Sequence, residues 1–378
     1  MTTDGTTRPT PPALAGFTVA ITASRRADEF AALLSRRGAR IRSAAAITMV
    51  PLPDDDALHA ATESLIVSPP DMLIATTGIG FRGWIEAADE WGLVEPLLVA
   101  LGKARVISRG PKATGALRAA GLREEWSPAS ESSAEVLAHL SDDDLRGKRV
   151  AVQLHGATDD WDPNPGFLAD LRRRGAQVVS VPVYRWKSPD DLSALDALLT
   201  EIVGRGVDAV TFTSAPAVAS VLMRAHELGL YELLREALTS DVVVYCVGPV
   251  TAGPLDRCAI ASVAPTRMRL GALARLVADD LPVRRPELLV AGHRLGIRAC
   301  TAVVDGQAKE VSAGGLALLK ALAQRPGEVV SRDRLLMQLP AAGDDEHAVE
   351  VAIGRLRTAL GARELIATVV KRGYRLAV

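Results

Sequence analysis

Residues Ile74–Gly80 read IATTGIG, and residues Thr211–Pro216 read TFTSAP. Each closes a short apolar run (DMLIATT, DAVTFTS) on neighbouring hydroxyl residues and opens into an amphipathic stretch. A Gly-Pro turn follows both, as SRGPKATGAL after the first and CVGPVTAGPL after the second. Thr76 lies 34 positions before Gly110, and Thr213 lies 35 before Gly248. A strand end, a hydroxyl pair and a Gly-Pro turn repeated at one spacing predict two similar α/β halves.

Outward from these stretches, the same strand–loop–helix unit recurs from Gly16 to about residue 265. FTVAIT, ARVIS, RVAVQL and VVVYCVG are apolar runs of strand length. ADEFAALLSRRGA, GFLADLRRRGA and APAVASVLMRAHELG carry apolar residues at helical spacing. Apolar strands alternating with amphipathic helices predict an α/β fold of parallel sheets covered on both faces. Two Pro-bearing extended segments, TMVPLP and VSVPVYRW, lie at the seams and can run side by side as a two-stranded ladder between the halves. Beyond Ala264 the texture changes. APTRMRLGALARLVADDLPVRRPE gives a helix and a Pro/Arg linker, followed by short strands with turn signals and then helical patterns. The closing LIATVVKRGYRLAV reads as a β-hairpin around a Lys-Arg-Gly turn.

A chain of 378 residues, 48% of them hydrophobic, can fill two or three cores. The balance of 44 Lys+Arg against 45 Asp+Glu excludes a globally basic nucleic-acid binder. The charge is unevenly placed, however. Residues 286–378 hold 13 basic and 10 acidic groups, and the last 28 residues hold six basic groups against Glu364 alone. Cys246, Cys258 and Cys300 show no metal-ligand spacing and suit a reducing compartment. No apolar run reaches membrane-spanning length. The opening MTTDGTTRPTPP has neither the charged nor the apolar region of a signal peptide. These features predict a cytoplasmic protein with no membrane partner and a disordered tail at 1–13.

In EHAVEVAIGRLRTALG, Val349, Ile353, Leu356 and Leu360 recur at helical spacing and make a core stripe; Arg355 points to solvent and Arg357 flanks the stripe. A helix of this kind followed by a basic hairpin suits DNA. The helix enters the major groove, where Arg can donate two bonds to a guanine edge, and the hairpin meets phosphates. A solvated basic helix with an ordinary terminal hairpin would carry the same charges. Residues 287–378 resemble the OmpR-type winged-helix effector domain of bacterial response regulators, on VVDGQAKEVS, GGLALLKALAQRPGEVVSRDRLL, VEVAIGRLRTALG and LIATVVKRGYRL. The resemblance implies double-stranded DNA as partner, with Arg355 reading bases and Arg332 and Arg357 holding phosphates. It places Thr368 and Tyr374 on the wing side near the DNA backbone, and Lys371 and Arg372 in the wing. Ala359 and Ala352 stand where the family carries a basic residue and a His, so affinity is expected to lean on the wing. The Tyr374 ring can equally pack on the small core.

The first 265 residues resemble uroporphyrinogen-III synthase, on Thr76–Thr77, Thr213–Ser214, Gly110–Pro111, Gly248–Pro249, VPVYRW and their spacing. The resemblance implies two α/β domains, one at 14–49 with 185–266 and one at 50–184, then a linker at 267–286 and the winged helix at 287–378. It implies a cleft that takes a linear tetrapyrrole, inverts its last ring and closes the macrocycle with loss of water, without a cofactor. Helix N-termini after the hydroxyl and Gly-Pro turns suit the carboxylates of such a substrate. Thr76, Thr77, Gly78, Arg109, Gly110, Lys112, His155, Thr213, Ser214 and Gly248 are the ligand-binding candidates, and Tyr184 and Thr251 the catalytic ones. Tyr184 can also simply pack in its strand, and Thr251 can be a helix cap. The sequence departs from the family at His155 (often Arg) and after the first strand, where TASRR moves the charge to Arg25 and Arg26. It departs again in PKATG, where the Thr is displaced by one position.

Two functions follow. One is a transcription regulator whose synthase-like part senses or docks an anionic ligand, a tetrapyrrole among the candidates. The other is a working synthase with an accessory DNA-binding domain. The altered clamps and the fusion itself favour the first; the retained Tyr184 and Thr251 favour the second. No phosphoacceptor receiver pattern is visible, so control by phosphorylation is not expected. The fusion is similar to actinobacterial regulators linked to nitrate and nitrite assimilation, a resemblance that implies a second OmpR-type regulator as partner.

Overall fold

The computed structural model describes residues 12–51, 56–128, 133–156, 166–339 and 346–378. All but the last two residues of the tail expected at 1–13 lie outside the described residues. The strands of the α/β part are β1 (Thr18–Ile21), β2 (Arg40–Ser43), β3 (Thr48–Pro51), β4 (Met72–Ala75), β5 (Arg105–Ser108), β6 (Arg149–Gln153), β7 (Gln177–Val181), β8 (Tyr184–Lys187), β9 (Ala209–Phe212) and β10 (Val243–Cys246). The C-terminal part adds β11 (Leu288–Val290), β12 (His293–Ile297), β13 (Ala302–Val304), β14 (Gln307–Lys309), β15 (Ile366–Val369) and β16 (Gly373–Leu376). The chain forms two compact units. One holds the chain up to Ala45, Ser193–Ser214 and Val221–Val378; the other holds Ala46–Leu192 and Ala215–Ser220.

In the unit built on Ala46–Leu192, a parallel sheet runs in the order β5-β4-β6-β7. Every residue of β4 is buried because helices cover both faces. Leu73 and Ala75 join a cluster with Leu58, Phe81 and Trp84. Met72 and Ile74 point the other way, to Val136, Leu140 and Phe167. Strands β3 and β8 pair antiparallel, with Thr48 opposite Lys187 and Pro51 opposite Tyr184, so the two Pro-bearing segments do run side by side.

The other unit has a parallel sheet in the order β10-β9-β1-β2. This is the first sheet's order with the chain permuted. β9 and β10 take the places of β4 and β5, and β1 and β2 those of β6 and β7. The repeated spacing in the sequence has this origin. Residues 267–286, expected to be a linker, instead supply one face of this core. They contain the helix Leu270–Arg284, whose Leu273, Ala274, Val277 and Leu281 pack with Phe30, Leu34 and Tyr245. Pro282 and the arginines after it suggested a break, but a proline in the last turn of a helix interrupts little of it.

The same unit carries the C-terminal part. Strands β11 to β14 form an antiparallel sheet, and β15 and β16 form the final hairpin. Between them lie the helices Ala313–Ala323, Arg332–Leu336 and Glu346–Leu360. The first two start on serine caps: Ser312 accepts from the Gly315 N–H and Ser331 from the Arg334 N–H. Leu295, Leu318, Leu322, Leu335, Val349, Ile353, Leu356, Leu360 and Tyr374 close one core. Strands, three helices and a terminal hairpin make a winged helix.

Candidate functional site

The stripe Val349, Ile353, Leu356 and Leu360 is buried as expected, which leaves Arg355 exposed on the opposite side of the helix Glu346–Leu360. Arg357 is differently placed. Its Nε and Nη2 donate to the Ile366 carbonyl at 3.1 and 2.6 Å, and Nη2 also donates to Thr368 Oγ1 at 2.9 Å. The guanidiniums of Arg332 and Arg357 stand 5.5 and 5.8 Å from the centre of the Tyr374 ring. Tyr374 itself is only 4% exposed. Arg332 also pairs with Glu350 at 3.4 Å. Arg332, Arg357 and Tyr374 therefore pin the hairpin to the helices, while Arg355, Thr368, Lys371 and Arg372 are open to solvent. Arg334 and Arg375 are exposed as well. Sequence reasoning passed over both, although alternation along GYRL already sets Arg375 opposite the buried Tyr374 and Leu376. The turn needs its glycine. At Gly373 the φ is 133°, and a Cβ would lie 2.0 Å from the Val330 carbonyl oxygen. This close approach lets Tyr374 and Val330 exchange backbone bonds of 2.8 and 3.0 Å.

The synthase-like candidates of the other unit gather at the C-terminal end of its sheet. Gln153, fully buried at the end of β6, was not singled out from the sequence, yet it organises the group. Its Oε1 accepts the N–H of Thr76 at 3.2 Å and of Thr77 at 3.0 Å. Thr76 Oγ1 donates to the Gln153 carbonyl at 2.7 Å. Thr77 caps the helix Gly78–Glu90 by accepting from the Gly80 N–H. Tyr184 donates from its hydroxyl to the same Thr77 Oγ1 at 3.3 Å. The Tyr184 ring lies 6% exposed against Gly156 and edge-on to Trp186. A Cβ on Gly78 would lie 2.1 Å from the Lys112 carbonyl oxygen. Only glycine there lets the starts of the helices Gly78–Glu90 and Pro111–Ala119 touch. Gly110 caps the second helix with Pro111 at its first position. Thr114, the displaced hydroxyl, pairs with Ser108 Oγ at 2.7 Å. Lys112 is exposed, the Arg109 N–H bonds to the Ala75 carbonyl, and the His155 carbonyl accepts from the Trp186 indole at 3.2 Å. Thr76, Thr77, Gly78, Gly110 and Tyr184 are thus drawn together, and two helix N-termini meet beside them.

In the permuted half, Thr213 and Ser214 follow β9 and are half-buried, and Gly248 precedes the helix Pro249–Arg257. Thr251, in the first turn of that helix, is buried at 5% exposure. Met268 packs where a Gly248 Cβ would be. Thr22 occupies the place of Gln153 and donates to the Thr211 carbonyl at 2.9 Å. No helix among the described residues is long and apolar enough to cross a membrane.

Comparison with known proteins agrees with this geometry. The family model for uroporphyrinogen-III synthase HemD matches residues 28–275, and that for the C-terminal domain of transcriptional regulatory proteins matches residues 306–376. The uncharacterized protein YjjA of Bacillus subtilis is 28% identical over 69% of this chain and 94% of its own. A crystal structure of a mutant uroporphyrinogen III synthase from Thermus thermophilus is 28% identical, covers 68% of this chain and 96% of that one, and has a TM-score of 0.57. The DNA-binding domain of Klebsiella pneumoniae RstA, solved with its RstA box, is 30% identical over 22% of this chain and 90% of that one, with a TM-score of 0.20. The chain belongs to the uroporphyrinogen-III synthase HemD family and carries an OmpR-type winged-helix DNA-binding domain fused behind the synthase-like part.

Proposed function

We propose that the protein is a cytoplasmic transcription regulator in which the winged helix reads a specific duplex and the synthase-like part senses or docks an anionic ligand such as a tetrapyrrole. The observation that carries this reading is the division of labour among the arginines. Arg357 and Arg332 hold the wing, whereas Arg355, Lys371 and Arg372 stay exposed on the helix and hairpin that face DNA in this domain type. Arg355 reads a guanine edge, and the wing cations take phosphates. The resemblance to nitrate and nitrite regulators supports nitrogen assimilation as the setting and a second OmpR-type regulator as partner. The test is binding of the full chain to a selected operator across a salt series. Arg355→Ala should cost about 1–3 kcal/mol of discrimination at one base pair. Binding that ignores salt, or sequence preference unchanged in the variant, would remove the regulator reading.

One observation favours a second reading, an active synthase: the Tyr184 hydroxyl reaches Thr77 at a helix N-terminus, where a substrate carboxylate and a departing hydroxyl could both be served. Cyclisation of hydroxymethylbilane by the full chain separates the two. Under the regulator reading the type-III product forms no faster than without protein. Turnover at an enzymatic rate, lost in Tyr184→Phe, would establish the synthase.

A further inference from the structure

At the N-terminal end of the sheet β10-β9-β1-β2, opposite the end where the synthase-like candidates gather, lies a buried carboxylate that the proposed function does not use. Asp208, 4% exposed, precedes β9. Its Oδ2 accepts the Thr18 N–H at 2.8 Å, which ties β9 to β1. Its Oδ1 accepts the Ala299 N–H at 2.8 Å, and Ala299 belongs to the winged helix, in the turn between β12 and β13. That turn is held from several directions. The Arg298 N–H bonds to the Thr301 carbonyl at 2.9 Å. Lys320 Nζ donates to the Ala299 carbonyl at 2.9 Å, from the helix Ala313–Ala323. Cys300 donates from its thiol to the Gly206 carbonyl at 2.8 Å, back in the α/β half.

The Arg298 side chain completes the joint. It is 5% exposed, and its guanidinium carbon stands 4.0 Å from the centre of the Phe17 ring. Nη1 donates to the Arg285 carbonyl at 2.8 Å, and Nη2 lies 3.7 Å from Glu287. Gly296 leaves room for it, since a Cβ there would be 2.8 Å from Nη2. Gly16 does the same from the α/β side, where a Cβ would be 2.5 Å from Val303. A buried arginine over an aromatic face, a buried carboxylate taking one N–H from each side and two glycines at the closest approaches are features of a packed core. A flexible tether between a sensor and a reading head would show none of them.

We infer that Asp208 and Arg298 form a coupling joint that fixes the winged helix to the β10-β9-β1-β2 half, so that the two open, close and turn as one body. The orientation of the reading head is then set by this half, and a ligand that moves the half moves the head without slack. The regulatory meaning rests on the proposed function; the joint itself does not.

Native-state hydrogen exchange on the full chain, at rising denaturant, tests the joint. In the wild-type chain the amides of Val19 and Val210 and those of Leu295, Val304 and Ile353 should share one opening reaction. In Arg298→Ala the winged-helix amides should exchange about tenfold faster than those of β1 and β9. Asp208→Asn, which leaves one N–H facing an amide donor, should separate them as well. Asp71→Ala, at the equivalent place in the other sheet, should keep them together. Independent opening of the winged helix in the wild-type chain would overturn the joint. So would an undivided opening in both Arg298→Ala and Asp208→Asn, or a division produced equally by Asp71→Ala. The readout needs no DNA, so failure of the DNA reading and failure of the joint are distinguishable.

Discussion

Asp71 and Asp208 stand at the same point of the two halves, one residue before β4 and one before β9. Their backbone and first carboxylate bonds are the same. The Asp71 N–H goes to the Arg149 carbonyl, its carbonyl takes the Arg105 N–H, and Oδ2 takes the Arg149 N–H at 2.8 Å. For Asp208 the partners are Thr18, Val243 and Thr18 again, with Oδ2 also at 2.8 Å. They differ in the second oxygen. Asp71 is exposed, and its Oδ1 meets Lys148 Nζ at 3.3 Å. Asp208 is buried, and its Oδ1 takes Ala299 N–H from the winged helix. One fold therefore uses a single carboxylate in two ways: to close a strand end in one half, and in the other half also to receive an added domain.

The contrast predicts a large difference in stability. Asp208→Ala leaves the buried Thr18 N–H and the half-buried Ala299 N–H without their acceptor, and a buried orphan costs about 1–3 kcal/mol. A net loss of about 2–4 kcal/mol is expected after the relief of burying a carboxylate is set against it. Asp71→Ala exposes the Arg149 N–H to water and should cost under about 1 kcal/mol. Denaturant unfolding of both variants checks this. Equal losses would mean that the Ala299 bond contributes nothing, and the comparison would reduce to two copies of one clasp.

How far this was legible in the sequence depends on range. The central strands, the two similar halves and the β3–β8 ladder follow from apolar runs and Pro-bearing segments, because both depend on local pattern. The core stripe of the helix Glu346–Leu360 follows from helical spacing. Arg357 was misleading: a flanking position reads as outward, whereas its guanidinium bends back to the Ile366 carbonyl. Gln153 and the Asp208–Ala299 bond were out of reach. VDAVTF and PDMLIA look alike around their aspartates, and nothing local says which one a domain 91 positions later will cover. The stretch 267–286 failed for a related reason. Its Pro and Arg residues read as a linker, but Leu273, Val277 and Leu281 lie on the face that fills the core under β1.

The smallest expected effect is also the most direct probe of the comparison, since it reads the two carboxylates themselves. The backbone N–H of Arg149, helped by Lys148, favours charge on Asp71 and holds its carboxyl below the ordinary aspartate value of 3.8. Burial pushes Asp208 above that value, against the opposing pull of the Thr18 and Ala299 N–H groups. The signs for stability are therefore opposite. Asp71 contributes stability above its unfolded pKa, and this is lost as pH falls through the lower folded value. The Asp208 contribution is greatest below its unfolded pKa and is lost as pH rises through the higher folded value. Carboxyl carbon shifts followed by NMR should show Asp71 titrating below 3.8 and Asp208 above it. If Asp208 titrates at the ordinary value in the intact chain, water already reaches it, and the carboxylate is not sealed beneath the winged helix.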